Sequence, residues 1–164
     1  MKRNAISVLV ENHPGVLFRI SGLFSRRGYN ITSITASATQ DKEISRLTIL
    51  CTGDNSVVEQ MMKQLNKQED VKKVMLLEED ASLRDIALVK IYVKKGQRRA
   101  LMDAIYTADG KIIDMGESTV TVELSGSHDH VDDALKKLYA FDIAEVARTG
   151  LVGLMRGDNL LLDK

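Results

Sequence analysis

The stretch Ile6–Phe24, with the sequence ISVLVENHPGVLFRISGLF, decides the fold because it carries the signals of a strand, a turn and a helix in succession. Its first five residues are largely apolar on both alternating faces, which predicts an inner β-strand. Asn12–Gly15 is a compact turn signal. The next apolar residues have the spacing of one helix face, namely Val16, Leu17, Ile20, Leu23 and Phe24. Gly28 is placed to end this helix in a left-handed conformation.

Two more strands, a second helix and a closing strand complete this pattern. Alternation predicts strands at Ile34–Ala38 and Arg46–Cys51, with a polar connection at Gln40–Lys42. Gly53–Ser56 breaks the third strand and offers an N-cap to the second helix, and the closing strand covers Val71–Leu77. The order β-α-β-β-α-β is that of a ferredoxin-like domain.

The same order of elements occurs again in the second half of the chain. It begins with a strand at Ile86–Val93 and ends with one at Phe141–Ala147. We therefore predict an α+β protein of two ferredoxin-like βαββαβ domains. The first covers residues 1–78, residues 79–83 form an acidic, polar linker, and residues 84–164 form the second domain with an apolar tail.

The apolar tail, Arg148–Asp158, has no obvious place in either domain. One alternative is that it forms a surface for a partner, which would be a second copy of the chain or another subunit. The other alternative is that it packs back on a sheet of its own chain. The sequence favours the two equally.

Composition excludes several classes of protein. Lys and Arg number 23 and Asp and Glu number 23, so the formal net charge is zero, whereas a general nucleic-acid binder has a basic excess. The strands also lack the paired aromatic residues on which RNA recognition motifs stack bases. No apolar run has the length of a signal peptide or of a membrane span. We expect a cytoplasmic protein that binds neither nucleic acid nor membrane.

Motifs of catalysis and metal binding are absent from the sequence. It contains no GxGxxG, Walker, HExxH or GxSxG pattern, so we expect no enzyme active site. His128 and His130 are two residues apart at the start of a helix and do not share a helix face, so no metal site is expected. Cys51 is expected to be a buried strand residue.

The segment Glu11–Leu17 is the strongest candidate for a binding site. A strand ends, the chain turns, and a helix begins whose first amides lack partners inside the helix and favour an anion such as a carboxylate. Gly15 lets a ligand approach the backbone, and the Asn12 amide can bond an ammonium group or a carboxylate. The alternative is structural, with Asn12 capping the helix and Gly15 turning the chain.

Several segments resemble the ACT-domain family, and more closely the regulatory subunits of acetohydroxyacid synthase, also called acetolactate synthase. They are Asn12–Leu17, Gly22–Ile31, Ser45–Ile49, Glu145–Leu154 and Arg156–Asp158. The resemblance extends over nearly the whole chain. It implies that the first domain is an ACT domain.

The resemblance also implies a homodimer with valine at the interface between two ACT sheets. Effector-binding residues would be Asn12, Gly15, Val16 and Leu17 of one protomer, with Asn30 and Ile31 of its neighbour. Isoleucine and leucine remain alternatives, because a hydrophobic pocket distinguishes one methylene by only about 1–3 kcal/mol.

The resemblance finally implies a regulatory subunit without catalytic residues. Such a subunit binds and activates the catalytic large subunit of acetolactate synthase and confers feedback inhibition by valine or another branched-chain amino acid. No cofactor is expected on this chain, since thiamine diphosphate, magnesium and FAD belong to the catalytic partner. The alternative is a stand-alone ACT-type amino-acid-binding regulator of another target.

Overall fold

The chain folds into two compact units. A computed structural model describes residues 3–78 and 80–161. The first unit consists of Met1–Ser82 together with Gly150–Lys164, and the second of Leu83–Thr149. Each unit has its own hydrophobic core.

The first unit is a four-stranded antiparallel sheet with two helices. Its elements are β1 (Arg3–Glu11), α1 (Val16–Arg26), β2 (Ile31–Ala38), β3 (Ile44–Thr52), α2 (Asn55–Leu65) and β4 (Val71–Leu77). The strand order is β2-β3-β1-β4, so β1 and β3 are central and β2 is an edge strand. The predicted order of elements is confirmed, and the closing strand has the predicted bounds.

The second unit repeats this architecture. Its elements are β5 (Ser82–Tyr92), α3 (Arg98–Thr107), β6 (Lys111–Met115), β7 (Thr119–Gly126), α4 (His128–Leu138) and β8 (Ile143–Arg148). The strands lie in the order β6-β7-β5-β8 and pair antiparallel. The predicted α+β fold with two ferredoxin-like domains is therefore confirmed.

Helix α1 packs on the sheet through one apolar face, although that face is narrower than predicted. Its buried residues are Val16, Ile20, Leu23 and Phe24. Leu17 was expected among them, but 47% of it is exposed. The expectation was wrong because a residue one position after Val16 lies about 100° around the helix, beyond the edge of the buried stripe.

The structure confirms the predicted signals for the end of α1 and for the start of α2. Gly28 follows the end of α1 with a φ of 66°, the left-handed conformation expected of it. Asp54 caps α2, since its side chain accepts a hydrogen bond of 2.9 Å from the amide of Val57.

Strand β1 is buried on both faces. Its residues Ile6, Val8 and Val10 belong to the core beneath the helices. The alternating residues Ala5, Ser7 and Leu9 are also buried, although they point to the opposite face of the sheet. That second face therefore requires cover of its own.

The C-terminal segment, residues 150–161, lies on the face of the first unit's sheet that points away from helices α1 and α2. A Cβ added at Gly150 would meet Ser33 and Thr35 of β2 at 3.0–3.1 Å. Leu151 and Leu161 are buried, and a short strand, β9 (Val152–Leu154), lies between them. The alternative in which the tail packs on a sheet of its own chain is the one observed.

The observed unit boundaries differ from the domain boundaries expected from the sequence. The tail was assigned to residues 84–164, whereas Gly150–Lys164 groups with the first unit. Strand β5 begins at Ser82, so Ser82 and Leu83 are in a strand rather than in the linker 79–83. The sequence shows that the tail is apolar, but its position in the chain does not show which of the two sheets it covers.

Two phenylalanines of α1 provide a matched test of the core. Phe24 is 1% exposed and its ring contacts that of Tyr29 edge to face, with centroids 6.2 Å apart. Phe24→Ala is expected to lower the free energy of unfolding by about 3–5 kcal/mol, because it leaves a cavity in the core. Phe18 is 79% exposed, so Phe18→Ala should change it by less than about 0.5 kcal/mol. Urea denaturation of both variants measures this, and equal losses would contradict the assignment of faces.

Candidate functional site

The loop between β1 and α1 is held in place by its backbone. The amide of Glu11 donates to the carbonyl of Asp70 at 2.9 Å, and that of Asn12 donates to the carbonyl of Glu43 at 2.7 Å. The Asn12 side chain adds a hydrogen bond of 2.8 Å from Nδ2 to the carbonyl of Lys42. The loop is thus tied to the turn before β3 and to the start of β4.

No side chain caps the start of α1. Gly15 occupies the N-cap position with a φ of 91°, a conformation that glycine adopts without strain. Asn12 bonds to Lys42 instead of capping the helix, so the structural alternative for Asn12 is not the observed one. The first turn of α1 contains no acidic residue. Its positive dipole end is therefore available to an anion.

A pocket of about 340 Å³ opens beside this loop. Its lining residues come from β1, the loop, α1, β2 and β3 and are Val10, Glu11, Asn12, His13, Val16, Leu17, Ala36, Ser37, Ala38, Ser45 and Leu47. Aliphatic side chains form one part of the wall, and the Asn12 amide and the Glu11 carboxylate supply polar groups. This volume is at the lower end of the range for small-molecule sites.

Three of the six predicted effector-binding residues line this pocket. They are Asn12, Val16 and Leu17, and Gly15 lies in the same loop between them. Asn30 and Ile31 lie at the start of β2 and do not line the pocket in the described part of a single chain. Their predicted contribution was to the pocket of a neighbouring protomer. The assignment of all six as effector-binding residues stays a prediction.

A cluster of charged side chains surrounds the loop and was not foreseen from the sequence. Arg19 Nε lies 2.6 Å from Asp70 Oδ2, and His13 Nε2 lies 2.9 Å from Asp70 Oδ1. His13 Nε2 also lies 3.4 Å from Glu11 Oε2, and Lys72 pairs with Glu11. A histidine in the turn was the one available signal, since Asp70 is 57 residues away in sequence.

The cluster changes the acidity of its members. The pKa of the Asp70 carboxyl lies below its ordinary value, mainly because Arg19 donates a hydrogen bond to it, with a smaller contribution from His13. The pKa of Glu11 is lowered chiefly by the hydrogen bond from Lys72. Glu11, His13 and Asp70 also place three possible metal-ligand atoms within 4.8 Å of one another. Because Lys72 and Arg19 already neutralise the two carboxylates, the cluster is a salt-bridge network as it stands.

Ser127, His128 and Cys51 lie outside this loop and contact neighbouring groups of the fold. The Ser127 side chain caps α4 by accepting a hydrogen bond from the amide of His130. His128 Nδ1 lies 2.9 Å from the buried carboxylate of Asp85, which also pairs with Arg148 at 2.8 Å. Cys51 is fully buried, as expected, and burial raises the pKa of its thiol.

Comparison with known families matches both units. Residues 6–73 match the model of the AHAS small subunit-like ACT domain, so the first unit is an ACT-type domain. Residues 84–157 match the model of the small subunit of acetolactate synthase. No helix in the described part of the chain is long and apolar enough to cross a membrane.

Individual relatives match over nearly the full length. The acetolactate synthase isozyme 3 small subunit of Salmonella typhimurium is 44% identical over 97% of this chain and 99% of its own. The acetolactate synthase small subunit of Mycolicibacterium smegmatis is 39% identical over 94% and 91%, respectively. The crystal structure of the Thermotoga maritima small subunit superposes with a TM-score of 0.87 at 32% identity, covering 97% of this chain and 100% of that one. The chain belongs to the family of acetolactate synthase small subunits.

The Asp70 carboxylate provides a pH-dependent test of the cluster. A folded-state pKa below the ordinary value contributes stability above that value and loses it as the pH falls through the folded pKa. The loss in free energy of unfolding caused by Asp70→Asn should therefore be largest near neutral pH and shrink below about pH 4. Urea denaturation between neutral pH and about pH 3 measures this difference.

Asp133 offers a control for this test. Its pKa is also lowered, mainly by the hydrogen bond from Lys136, but its side chain is 67% exposed on α4. Asp133→Asn should have a smaller effect because exposed ion pairs contribute little. A loss for Asp70→Asn that does not vary with pH would refute the role of the ionised carboxylate.

Proposed function

We propose that this chain is a non-catalytic regulatory subunit that binds the catalytic large subunit of acetolactate synthase, raises its activity and confers feedback inhibition by valine or another branched-chain amino acid. The observation that carries the proposal is the pocket beside the uncapped start of α1, in a chain that matches the small-subunit family over nearly its full length. The relatives' names describe subunits, which implies a partner that holds the active site.

The pocket offers complementary groups to each part of an aliphatic amino acid. The first amides and dipole of α1 suit the carboxylate. The Asn12 amide oxygen and the Glu11 carboxylate are acceptors for the ammonium group. Val16, Leu17 and Leu47 supply apolar contact for a branched side chain. The wall residues come from three strands, one loop and one helix that are far apart in sequence, so the pocket exists only in the folded unit.

A second protomer completes the proposed site. Strand β2 is at the edge of its sheet, and its residues Ala36, Ser37 and Ala38 are exposed while lining the pocket. An exposed edge can pair with the same edge of a second copy. In such a homodimer, Asn30 and Ile31 of the neighbour would close the pocket, with Asn30 as a polar group and Ile31 as an apolar wall.

Feedback requires that the effector bind one state of the assembly more tightly than another. A coupling of about 1–3 kcal/mol is typical for such regulation. In this proposal, thiamine diphosphate, magnesium and FAD bind to the catalytic subunit, and this chain contributes only effector binding and contact with its partner. The cytoplasm is the expected compartment.

Calorimetric titration of the purified chain tests the effector. Valine is expected to bind saturably with about one molecule per protomer, with leucine and isoleucine weaker by up to about 200-fold, since one methylene contributes about 1–3 kcal/mol. Serine serves as the comparison without a branched apolar side chain and should not bind measurably. Tighter binding of leucine or isoleucine would identify a different effector. Binding of none of the four would refute the site.

Gly15→Asp tests the position of the effector carboxylate. The new carboxylate would lie at the start of α1, so valine affinity should fall at least about tenfold, or about 1.4 kcal/mol. Feedback inhibition of the reconstituted holoenzyme should be lost while stimulation of the catalytic subunit persists. Both are measured by activity assays over a valine titration. Inhibition equal to that of the parent would show that the site is elsewhere.

Two variants control for strain and bulk. Gly15→Asn adds a side chain of the same shape without the charge, so it should weaken valine binding less than Gly15→Asp does. Gly96→Asp introduces a carboxylate just before α3 at a φ of 84°, close to the φ of 91° at Gly15. Because Gly96 lies in the second unit, this variant should remain sensitive to valine.

A further inference from the structure

A second cavity lies on the face of the first unit's sheet that points away from its helices. Its volume is about 320 Å³. Ser7, Arg46 and Met75 line it from the strands, and residues of the C-terminal segment, including Leu154 and Leu161, line it from outside. Leu47 and Ile49 of β3 belong to the core beneath the helices, so Arg46, which directly precedes Leu47, points to the other face of the sheet. This cavity is therefore separate from the pocket beside Asn12.

Arg46 is the charged residue in the described lining of this cavity. Its Nη1 atom donates a hydrogen bond of 3.3 Å to the hydroxyl of Ser7, which is fully buried. Among the residues that the structure describes, no carboxylate forms an ion pair with it, and burial lowers the pKa of its guanidinium. A partly buried cation without a counter-charge is unfavourable, because burial removes water without replacing it by an anion.

The surroundings of Arg46 restrict the anion that fits. Much of the wall is aliphatic or thioether, with Met75, Leu77 and Leu154 among its residues. Gln40 and Asn159 add neutral amides that can donate further hydrogen bonds. The described lining contains no aspartate or glutamate that could receive an ammonium group. The cavity therefore suits a carboxylate on a short apolar chain better than it suits an amino acid.

We propose that Arg46 and the C-terminal segment form a second ligand site, which binds a small aliphatic monocarboxylate that lacks an α-ammonium group. The guanidinium bonds the carboxylate through its planar fork of donors. The aliphatic chain of the ligand lies against the leucines that the C-terminal segment brings to the sheet. The site is independent of the proposed effector pocket, because the two cavities share no lining residue.

Titration of the full chain with isovalerate tests this site. Isovalerate should bind saturably and several-fold more tightly than acetate, because acetate lacks the branched chain. Isopentylamine, with a similar chain and the opposite charge, should not bind. Equal affinity for acetate and isovalerate would overturn the assignment of the apolar wall. Absence of isovalerate binding would overturn the site.

Variants of Arg46 test whether isovalerate binds at this side chain. Arg46→Gln should weaken isovalerate binding at least tenfold, and Arg46→Lys, which keeps the charge without the planar fork, should weaken it less. Arg27→Gln, which removes an exposed arginine beyond α1, should leave the affinity unchanged. Circular dichroism checks that each variant is folded. If Arg46→Gln does not fold, the comparison of Arg46→Lys with Arg27→Gln decides.

A further variant separates this site from the effector pocket. Gly15→Asp should leave isovalerate affinity unchanged if the ligand binds at Arg46. Loss of isovalerate binding in Gly15→Asp together with retention in Arg46→Lys at parental affinity would place the ligand beside Asn12 and overturn the proposal. Failure of valine to bind would refute the effector pocket without affecting the isovalerate result.

Discussion

The burial of β1 on both faces is the constraint on which the first unit depends. A strand with apolar or buried residues on alternate sides needs a covering layer on each side of its sheet. Helices α1 and α2 cover the side of Ile6 and Val8. The C-terminal segment contributes cover on the side of Ser7, where Leu161 lines the same cavity. The tail is thus part of the first unit's core architecture, although the whole second unit separates the two in sequence.

The pleat of β3 gives this one sheet two chemically different cavities. Ser45 and Leu47 line the pocket beside the loop, whereas Arg46 between them lines the cavity under the tail. The first cavity combines a helix start with aliphatic walls, and the second combines a guanidinium with aliphatic walls. The two cavities therefore lie on opposite faces of one central strand and share no lining residue.

Local signals predicted most of the fold, and contacts remote in sequence were not predictable. The alternation in β1, the bounds of β4 and the left-handed Gly28 depend on short-range chemistry, so the sequence predicted them. The loop and its residue Asn12 were predicted for the same reason, whereas Val16 and Leu17, which also line the pocket, were assigned to the site by the resemblance to the family. The exposure of Leu17 was missed because it depends on the width of a tertiary contact. The Asp70 contacts and the position of the tail were missed because a contact between residues 51 or more positions apart produces no periodic pattern in the sequence.

The charged cluster explains how an exposed loop can have a defined geometry. Loops at a surface are ordinarily mobile, yet ligand affinity depends on donors that are already in position. Asp70 binds the loop through His13 and the first turn of α1 through Arg19, while its carbonyl accepts a hydrogen bond from the amide of Glu11 at the end of β1. One residue therefore fixes the strand end, the turn and the helix start relative to one another. Since the proposed carboxylate contact requires the helix start and the proposed ammonium contact requires Asn12 and Glu11, the network holds together the two halves of the site.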